Sequence, residues 1–457
     1  MSAEKLDRMA YRLLGEPSLF SRFVVGRPLR PYQLEPARAI LRSVLERQGD
    51  QVSVMLPCQG GQRELSAQLE AYLLNLHAAG GGTIVKAVAA DQARLEASRL
   101  RLEWALDNPL NHGRWRRDDG GAVRLGRARC QLLAAEPAPG PLGPAASILL
   151  EVDQAQELEP EDEVVPGAGL TRACYGTPWR DDDLLQRVRA ANLERERRDG
   201  VRRHFQYPWW VVAEWSHEYG RYVETERARL GDEHPLFRSQ YCLETLGGEA
   251  ALLSSRQRAA MRGDHPRQSR RQGGASYVAG VNLAAEGGPA LTVARAAPTT
   301  VAGSIVEPRL EVVEQRRSSA DEPLLANLRD LWGAARVVVG VGGPTPGPLG
   351  RPRGPAGEVV APLLLTSESR SRLALAFLAA VNGGRFKIYR DEEADDPDAS
   401  EFWRAAERCR AAPRPGRRLD VWVPPRDGRD DFVVAAALCA QAGRDLLARA
   451  GDRHDRR

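Results

Sequence analysis

Short apolar runs alternate with amphipathic stretches along the first 180 residues. The apolar runs have the length of buried strands and lie at 52–56, 83–89, 147–153 and 170–175. Helical patterns occupy 63–79 and 91–107. Strands that alternate with helices form a parallel sheet with helices on both faces. We therefore expect an α/β domain over 28–180, preceded by a helical segment over 1–27.

The middle of the chain has a different pattern. Charged helical stretches and the aromatic segment 205–210 predict a helical lid or linker subdomain over 181–261. Tryptophans beside arginines could stack on nucleic-acid bases, or they could form the small core of this subdomain. The stretch 262–275 is rich in Arg, Gly, Gln and Ser and has almost no apolar residues, which is typical of a linker.

The last part of the chain contains a second alternation of strands and helices. Three strands in succession, near 276–283, 290–296 and 309–315, precede helices that alternate with strands. Further strands are expected at 335–340, 359–365, 385–389 and 419–423, and helices at 321–332, 369–382, 399–411 and 430–448. This order fits a mixed sheet of the ribonuclease H type over 276–450, followed by a tail over 451–457.

The composition is that of a folded, non-membrane protein. Hydrophobic residues make up 42% of the 457 positions, and 65 basic residues balance 61 acidic ones. No apolar run has the length of a membrane span, so we expect a cytoplasmic protein with reduced cysteines. Arginine clusters at 195–203, 262–271 and 414–418 are either nucleic-acid contacts or solvated surface.

A glycine-rich loop connects the run at 52–56 to the helical pattern at 63–79. Free backbone N–H groups and a helix N-terminus meet at such a turn, and this geometry binds phosphates. A nucleotide-binding loop also needs a lysine after its second glycine, followed by Ser or Thr for Mg²⁺. The chain has Gln62 and Arg63 at these two places. The candidate nucleotide contacts are Cys58, Gln59, Gly60, Gly61, Gln62 and Arg63.

Asp153 ends the buried strand at 147–153. In phosphate-loop ATPases an aspartate at such a strand end belongs to the Mg²⁺ shell, and a following acid polarises the attacking water. The next residue here is Gln154, whose amide can orient water but cannot accept its proton. Alternatively, Asp153 N-caps a helix that starts at Ala155. Thr177, after the next strand, could sense a γ-phosphate or form a turn.

The order of these motifs resembles one known family. Arg30-Pro31-Tyr32-Gln33, then 59–67, 153–156 and 175–179, resemble the ATPase half of the large subunit of phage terminases. The stretches 277–284, 337–343 and 428–432 resemble the nuclease half. The resemblance implies an ATP-driven, Mg²⁺-dependent motor that packages double-stranded DNA and cuts it with a ribonuclease-H-like domain. It also implies a portal protein, a terminase small subunit and a ring of copies as partners, and adenine recognition by Gln33.

The ATPase half departs from that family at its charged positions. The family usually has an arginine in the place of Cys58, the phosphate-loop lysine in the place of Gln62 and the catalytic glutamate in the place of Gln154. Arg63 brings a charge one residue after the missing lysine and could reach the phosphates, although the Mg²⁺-binding hydroxyl is lost there. We expect nucleotide binding without efficient turnover.

The nuclease half departs in the same way. Asn282 and Gly340 replace metal-binding aspartates of the family, whereas Asp430 and Asp431 remain. A two-metal nuclease needs several converging carboxylates, so Asp431 and Glu286 would have to compensate. Asp430 could equally N-cap the last helix. We expect this activity to be weak or absent as well.

These residues leave three interpretations open. The protein is a terminase-like motor with impaired activities, or a catalytically silent homologue that binds DNA, portal or motor subunits, for example from a prophage. The third interpretation is an unrelated α/β enzyme with an incidental glycine loop. A sheet without Asp153 beside the loop would favour the third.

Overall fold

The structure is a computed structural model that describes residues 14–89, 92–135, 146–158, 169–283, 288–303, 305–319, 323–342, 359–390 and 397–454. The chain divides into two compact units. Unit 1 comprises 1–221 and 239–246, and unit 2 comprises 222–238 and 247–457. Each unit has its own sheet.

Unit 1 is built on an eight-stranded sheet. Its strands are β1 (Gln51–Met55), β2 (Gly82–Ala89), β3 (Trp115–Arg117), β4 (Val123–Leu125), β5 (Ala128–Ala135), β6 (Leu149–Asp153), β7 (Thr171–Gly176) and β8 (His204–Gln206). The spatial order is β3-β4-β5-β2-β6-β7-β1-β8. From β5 to β8 the neighbours pair in parallel, and antiparallel β4 and β3 extend the other edge. The predicted parallel α/β sheet is confirmed.

Helices flank this sheet in the order expected from the sequence. They are α1 (Pro17–Phe23), α2 (Pro31–Leu45), α3 (Gln62–His77), α4 (Gln92–Leu106), α5 (Leu184–Asp199) and α6 (Trp209–Ala213). The chain passes between the two units within α7 (His217–Leu230) and α8 (Pro235–Gln240). Pro31 starts α2, where its missing N–H is not needed. The apolar strand and helix faces form a core that includes Met55, Val152, Leu184 and Val188.

Strand β8 lies in a segment that the pattern predicted to be helical and aromatic. It pairs in parallel with β1 at the edge of the sheet. Phe205 is buried in unit 1, whereas Trp210 remains about half exposed at 49%. Phe205 therefore belongs to a core, whereas Trp210 keeps a large exposed ring surface.

Unit 2 contains a six-stranded mixed sheet and a small three-stranded one. Its strands are β9 (Ala250–Ala251), β10 (Ser276–Asn282), β11 (Ala290–Val301), β12 (Ile305–Arg317), β13 (Arg336–Val341), β14 (Val360–Leu364), β15 (Phe386–Ile388), β16 (Arg410–Arg414) and β17 (Arg418–Trp422). The large sheet has the order β14-β13-β10-β11-β12-β15, with an antiparallel β10-β11-β12 meander and parallel neighbours elsewhere. This is the predicted mixed sheet.

The helices of unit 2 pack on this sheet. They are α9 (Ser255–Met261), α10 (Leu324–Asp330), α11 (Ser367–Asn382), α12 (Pro397–Arg408) and α13 (Asp431–His454). Helix α13 lies directly against β10 at Gly280. A Cβ there would lie 2.2 Å from Ala435 O and Cys439 N, so this approach requires glycine.

Several predicted boundaries in unit 2 were wrong. The helix predicted over 399–411 ends at Arg408, and 410–414 forms β16. The strand predicted at 419–423 is present as β17, and it lies in the small sheet beside β16. Helix α13 continues to His454, past its predicted end at 448. None of the helices in the described ranges is long and apolar enough to span a membrane.

Candidate functional site

The glycine loop of unit 1 has the strand–turn–helix geometry of a phosphate loop. Gln59 and Gly61 have φ angles of 60° and 91°, and Gly61 caps α3. A Cβ at Gly61 would lie 2.6 Å from Nε2 of Gln33, and a Cβ at Gly60 would lie 2.7 Å from Cδ of Pro57. Both glycines are therefore required for the turn.

Side chains from α2 hold the loop from behind. The hydroxyl of Tyr32 donates to Gly60 O at 3.2 Å, and Nε2 of Gln33 donates to Gly61 O at 2.9 Å. Oε1 of Gln33 accepts the Arg30 N–H at 2.9 Å. Both ends of the Gln33 amide thus have partners within the chain. Gln33 has a loop-supporting role that the sequence resemblance did not predict.

The first turn of α3 offers N–H groups to a ligand. The first intrahelical bond runs from Leu65 N to Gly61 O at 3.0 Å, which leaves the amides of 62–64 without intrahelical acceptors. The Arg63 side chain is exposed and pairs with no residue in the described ranges. The Cys58 backbone is fixed, because its N–H donates to Gln240 O at 2.7 Å. The helix N-terminus can accept an anion, but the loop adds no lysine.

Asp153 lies beside this loop. Nε2 of Gln62 donates to its Oδ1 at 2.7 Å, and Nε2 of Gln154 donates to the same atom at 3.3 Å. The turn that starts at Ala155 is capped in position by Gln154 in a left-handed conformation, without a side-chain bond. The alternative that Asp153 caps this turn was therefore wrong. Neutral amides contact the carboxylate at the place where a lysine and a cation would be expected.

Thr177 follows β7 at the same edge of the sheet. Asp153 on β6 is in register with Tyr175 on β7, and Met55 on β1 is in register with Gly176. The carboxyl ends of these three neighbouring strands therefore place Asp153, Thr177 and the loop at one edge of the sheet.

A buried charged cluster adjoins this site, and the sequence analysis missed it. Nζ of Lys86 donates to Glu70 Oε1 at 2.9 Å and to Ser66 Oγ at 2.7 Å. Ser66 Oγ and Tyr175 OH lie 3.0 Å and 2.8 Å from Glu151 Oε1 and donate to it. Lys86, Glu70 and Glu151 are at most 1% exposed. The available signal was a Lys and a Glu within otherwise apolar strands, and the register pairs Lys86 with Glu151.

The charges in this cluster do not balance without a proton. Burial and the Glu70 carboxylate raise the pKa of Glu151 well above its ordinary value. Burial opposes the charged form of Lys86, but the carboxylates outweigh it and raise the pKa of this lysine. One ammonium group therefore faces one carboxylate and one protonated carboxyl group, which avoids a second buried charge.

The nuclease-like position in unit 2 brings three predicted residues together. Asn282 on β10 and Gly340 on β13 are direct neighbours in the sheet. Nδ2 of Asn282 donates to Oδ1 of Asp431, the first residue of α13, at 3.4 Å. Asp430 belongs elsewhere, because its carboxylate pairs with Arg370. Glu286 lies outside the described residues.

A guanidinium group occupies the other side of Asp431. Nη2 of Arg317, at the end of β12, donates to Asp431 Oδ2 at 3.1 Å and also pairs with Glu401. Burial raises the pKa of Asp431, and Arg317 partly offsets this rise. The described residues contain no group of three or more His, Cys, Asp or Glu side chains that could hold a metal ion. The sequence analysis missed Arg317, because nothing near it in the chain indicates its partner.

The sequence matches no family model and no curated protein. Solved structures do match: a large terminase from a thermophilic bacteriophage has a TM-score of 0.52 at 8% identity, covering 91% of this chain and 99% of that one. The same terminase in complex with ADP has a TM-score of 0.52 at 9% identity, covering 90% and 98%. Its complex with ATP-γ-S has a TM-score of 0.51 at 9% identity, covering 91% and 99%.

This chain has a large-terminase fold. The match confirms the predicted fold class and the resemblance, and at such low identity it concerns the fold alone. The unrelated-enzyme interpretation depended on a sheet without Asp153 beside the loop. The Gln62–Asp153 contact of 2.7 Å removes that support. The terminase fold is thus present, with Gln62 bonded to Asp153 in unit 1 and Arg317 bonded to Asp431 in unit 2.

Proposed function

We propose that the protein is a non-catalytic, terminase-like DNA-binding component of a DNA-packaging assembly. Its unit 1 binds nucleotide without efficient hydrolysis, and its unit 2 binds no catalytic metal. Double-stranded DNA, a portal protein, a terminase small subunit and further copies of the chain are the proposed partners, in the host cytoplasm. The contact between Arg317 and Asp431 carries this proposal.

The charges around Asp431 oppose a metal site. Two catalytic cations need several carboxylates that converge on them. Asn282 contributes an amide, Gly340 contributes no side chain, and one Asp431 oxygen already accepts from Arg317. Arg317 places a positive charge directly against Asp431, so an incoming divalent ion gains less attraction from this carboxylate.

The phosphate loop supports binding better than turnover. The first-turn amides of 62–64 fit an anionic phosphate, whereas Gln62 supplies no charge and is bonded to Asp153. Loss of a charged transition-state contact typically lowers the rate by about two or more powers of ten. Gln154 cannot act as a base, which lowers the rate further. If ATP binds, its triphosphate is the group that these first-turn amides would contact.

The nuclease test compares the unmodified protein with a rebuilt site. We expect no Mg²⁺- or Mn²⁺-dependent cleavage of plasmid DNA and no stoichiometric Mn²⁺ binding by calorimetry. The Asn282→Asp, Gly340→Asp and Arg317→Met triple variant should bind Mn²⁺, because it restores carboxylates and removes the competing cation. A Cβ at position 340 would lie 2.9 Å from Leu438 Cδ1 and 3.0 Å from Leu365 Cδ1, which are movable side-chain ends.

The matched control keeps Arg317 and changes only Asn282 and Gly340 to aspartate. It should bind Mn²⁺ more weakly than the triple variant. Metal-dependent cleavage by the unmodified protein that disappears in Asp431→Asn would contradict the proposal. Cleavage that persists in Asp431→Asn would instead identify a contaminating nuclease.

The ATPase test likewise compares the unmodified protein with a variant in which the expected lysine and glutamate are introduced. We expect little hydrolysis by the unmodified protein and a higher rate for the double variant Gln62→Lys with Gln154→Glu. Single variants serve as controls, since a lysine without a base should restore less activity. Ready hydrolysis by the unmodified protein would contradict the proposal, whereas slow but measurable hydrolysis that depends on Asp153 would favour the second candidate, an impaired motor. The exposed Arg63 beside the loop is the observation that keeps this candidate open.

A further inference from the structure

A cleft in unit 2 opens beside the Arg317–Asp431 pair. Its volume is about 410 Å³, and its walls are one face of α12, the end of β12 and the turn before α13. The charged side chains that line the cleft are four arginines and two acids, namely Arg317, Arg404, Arg408, Arg429, Glu401 and Asp427. With Asp431, which contacts Arg317, four guanidinium groups face three carboxylates, and the cleft keeps a net positive charge.

The positive charge is concentrated on α12. Arg404 and Arg408 are exposed, and within the described residues their side chains donate only to backbone carbonyls. Nε of Arg404 donates to Ser400 O at 3.2 Å, and Nη1 of Arg408 donates to Asp427 O at 2.7 Å. Neither guanidinium has a carboxylate partner in the described ranges. As far as the described ranges extend, most of their donor groups therefore remain available to a ligand.

Arg317, in contrast, has carboxylate partners. Its guanidinium pairs with Glu401 and Asp431, donates to Gly288 O at 3.3 Å and lies 5.3 Å from the centre of the Phe432 ring. These contacts fix it as part of the wall. The single positive charge of Arg317 offsets part of the two negative charges of Glu401 and Asp431, which weakens their repulsion of an anion and their attraction for a metal. Arg317 is thereby a fixed part of the cleft wall, and the two outer arginines, Arg404 and Arg408, contact the ligand.

The spacing of the two free arginines suits a phosphate group. Arg404 and Arg408 are four residues apart in α12, so their Cβ atoms lie roughly 5–6 Å apart on one helix face. Arginine side chains that start from neighbouring positions on one helix face are long enough to contact one phosphate together, and the planar guanidinium fork matches phosphate geometry. The turn opposite them contains Gly428, around whose Cβ position no heavy atom of the described chain lies within 4 Å. The approach to the arginines is open there.

We propose that this cleft binds a backbone phosphate of double-stranded DNA directly through Arg404 and Arg408, without a divalent metal. This inference rests on the proposed function, because it places the DNA contact at a centre without catalytic cations. The shared ligand chemistry is a phosphate, which could belong to DNA or to free inorganic phosphate.

The test measures duplex DNA affinity in EDTA by fluorescence anisotropy, over a series of salt concentrations. The double variant Arg404→Gln with Arg408→Gln should bind about tenfold or more weakly, and its salt slope should become shallower by about one, because both arginines contact the same phosphate. The matched control is Arg256→Gln with Arg329→Gln, which removes the same charge from exposed positions elsewhere in unit 2. The control should stay within about twofold of the unmodified protein.

Two further measurements separate the sources of the effect. The conservative variant Arg404→Lys with Arg408→Lys should recover part of the affinity, because charge remains while the planar fork is lost. Inorganic phosphate is titrated by calorimetry into the unmodified protein and the glutamine variant. Phosphate binding that depends on both arginines, with unchanged DNA affinity, would identify a free-phosphate site and overturn the DNA contact. Circular dichroism checks folding, which substitutions at two exposed positions should leave intact.

Other outcomes are equally decisive. An equal loss of DNA affinity in the cleft variant and the control would overturn the cleft as a site. DNA binding that appears only with Mg²⁺ or Mn²⁺ would overturn the metal-free contact. If the cleft variant keeps its DNA affinity while the unmodified protein neither binds Mn²⁺ nor cuts DNA, only this inference fails. Metal-dependent cleavage by the unmodified protein would overturn the proposed function itself.

Discussion

The substitution Glu151→Gln tests the charge balance of the buried cluster in unit 1. Burial and the Glu70 carboxylate raise the pKa of Glu151 well above its ordinary value of 4.5, so the folded protein keeps a proton that the unfolded chain loses. Between pH 4.5 and the raised pKa, each pH unit therefore lowers the free energy of unfolding by about 1.4 kcal/mol. Glutamine keeps the oxygen that accepts from Ser66 and Tyr175 and has no proton to lose.

We therefore expect the Glu151→Gln variant to gain stability relative to the unmodified protein as the pH rises. The gap should widen by about 1.4 kcal/mol per pH unit across this window. Urea unfolding at several pH values measures it, with amide hydrogen exchange followed in peptides from α3 and β6. A local probe is needed because the two units need not unfold together.

The control is Glu214→Gln, which removes an exposed carboxylate from the same unit. Its stability profile should run parallel to that of the unmodified protein. If the profile of Glu151→Gln is also parallel to that of the unmodified protein, Glu151 is ionised in the folded protein. This result would refute the conclusion that Glu151 is protonated there.

Three further substitutions have expected outcomes in urea or thermal unfolding. Lys86→Met should cost about 3–5 kcal/mol at neutral pH, because it leaves buried carboxyl groups without their cation; adding Glu70→Gln should restore part of this loss. Gly280→Ala should destabilise unit 2 by about 1–3 kcal/mol or more, since its Cβ would lie 2.2 Å from the α13 backbone. His204→Gln should remove an acid-dependent loss of stability. Burial lowers the pKa of His204 to about 4, so the unfolded chain takes up the proton first as the pH falls below 6.5.

Each of these predictions has a contradicting result. A Lys86→Met variant as stable as the unmodified protein would mean that the cluster is hydrated. A neutral Gly280→Ala variant would mean that α13 moves away from β10 easily. An unchanged acid profile for His204→Gln would mean that another group controls stability between pH 6.5 and 4.

The phosphate-loop half was largely predictable from the sequence. A strand, two glycines and a helical pattern define a local turn, and the conformation of Gly61 depends on residues a few positions away. Asp153 was predictable because it ends an apolar strand whose neighbours follow from the alternation of elements. Strand β8 was missed because it has only three residues and becomes a strand through its pairing with β1.

The nuclease-like half was predictable as a fold but not as a site. Asn282, Gly340 and Asp431 were expected to converge because they end neighbouring strands or begin the last helix. Arg317 was not expected there, since 114 residues separate it from Asp431. The same holds for Lys86 and Glu70, whose pairing depends on how α3 packs on the sheet.

By itself, the sequence determined the order of strands and helices, the two glycine-dependent turns and the absence of a lysine and two aspartates from their expected places. These properties depend on local periodicity and on single residue types. Only the tertiary structure decided which groups the acidic residues contact: the Gln62 amide at Asp153, the Arg317 guanidinium at Asp431, and the buried Glu70 carboxylate whose proximity raises the pKa of Glu151. Such partners are chosen by packing between distant segments, where burial makes an uncompensated charge too costly to remain.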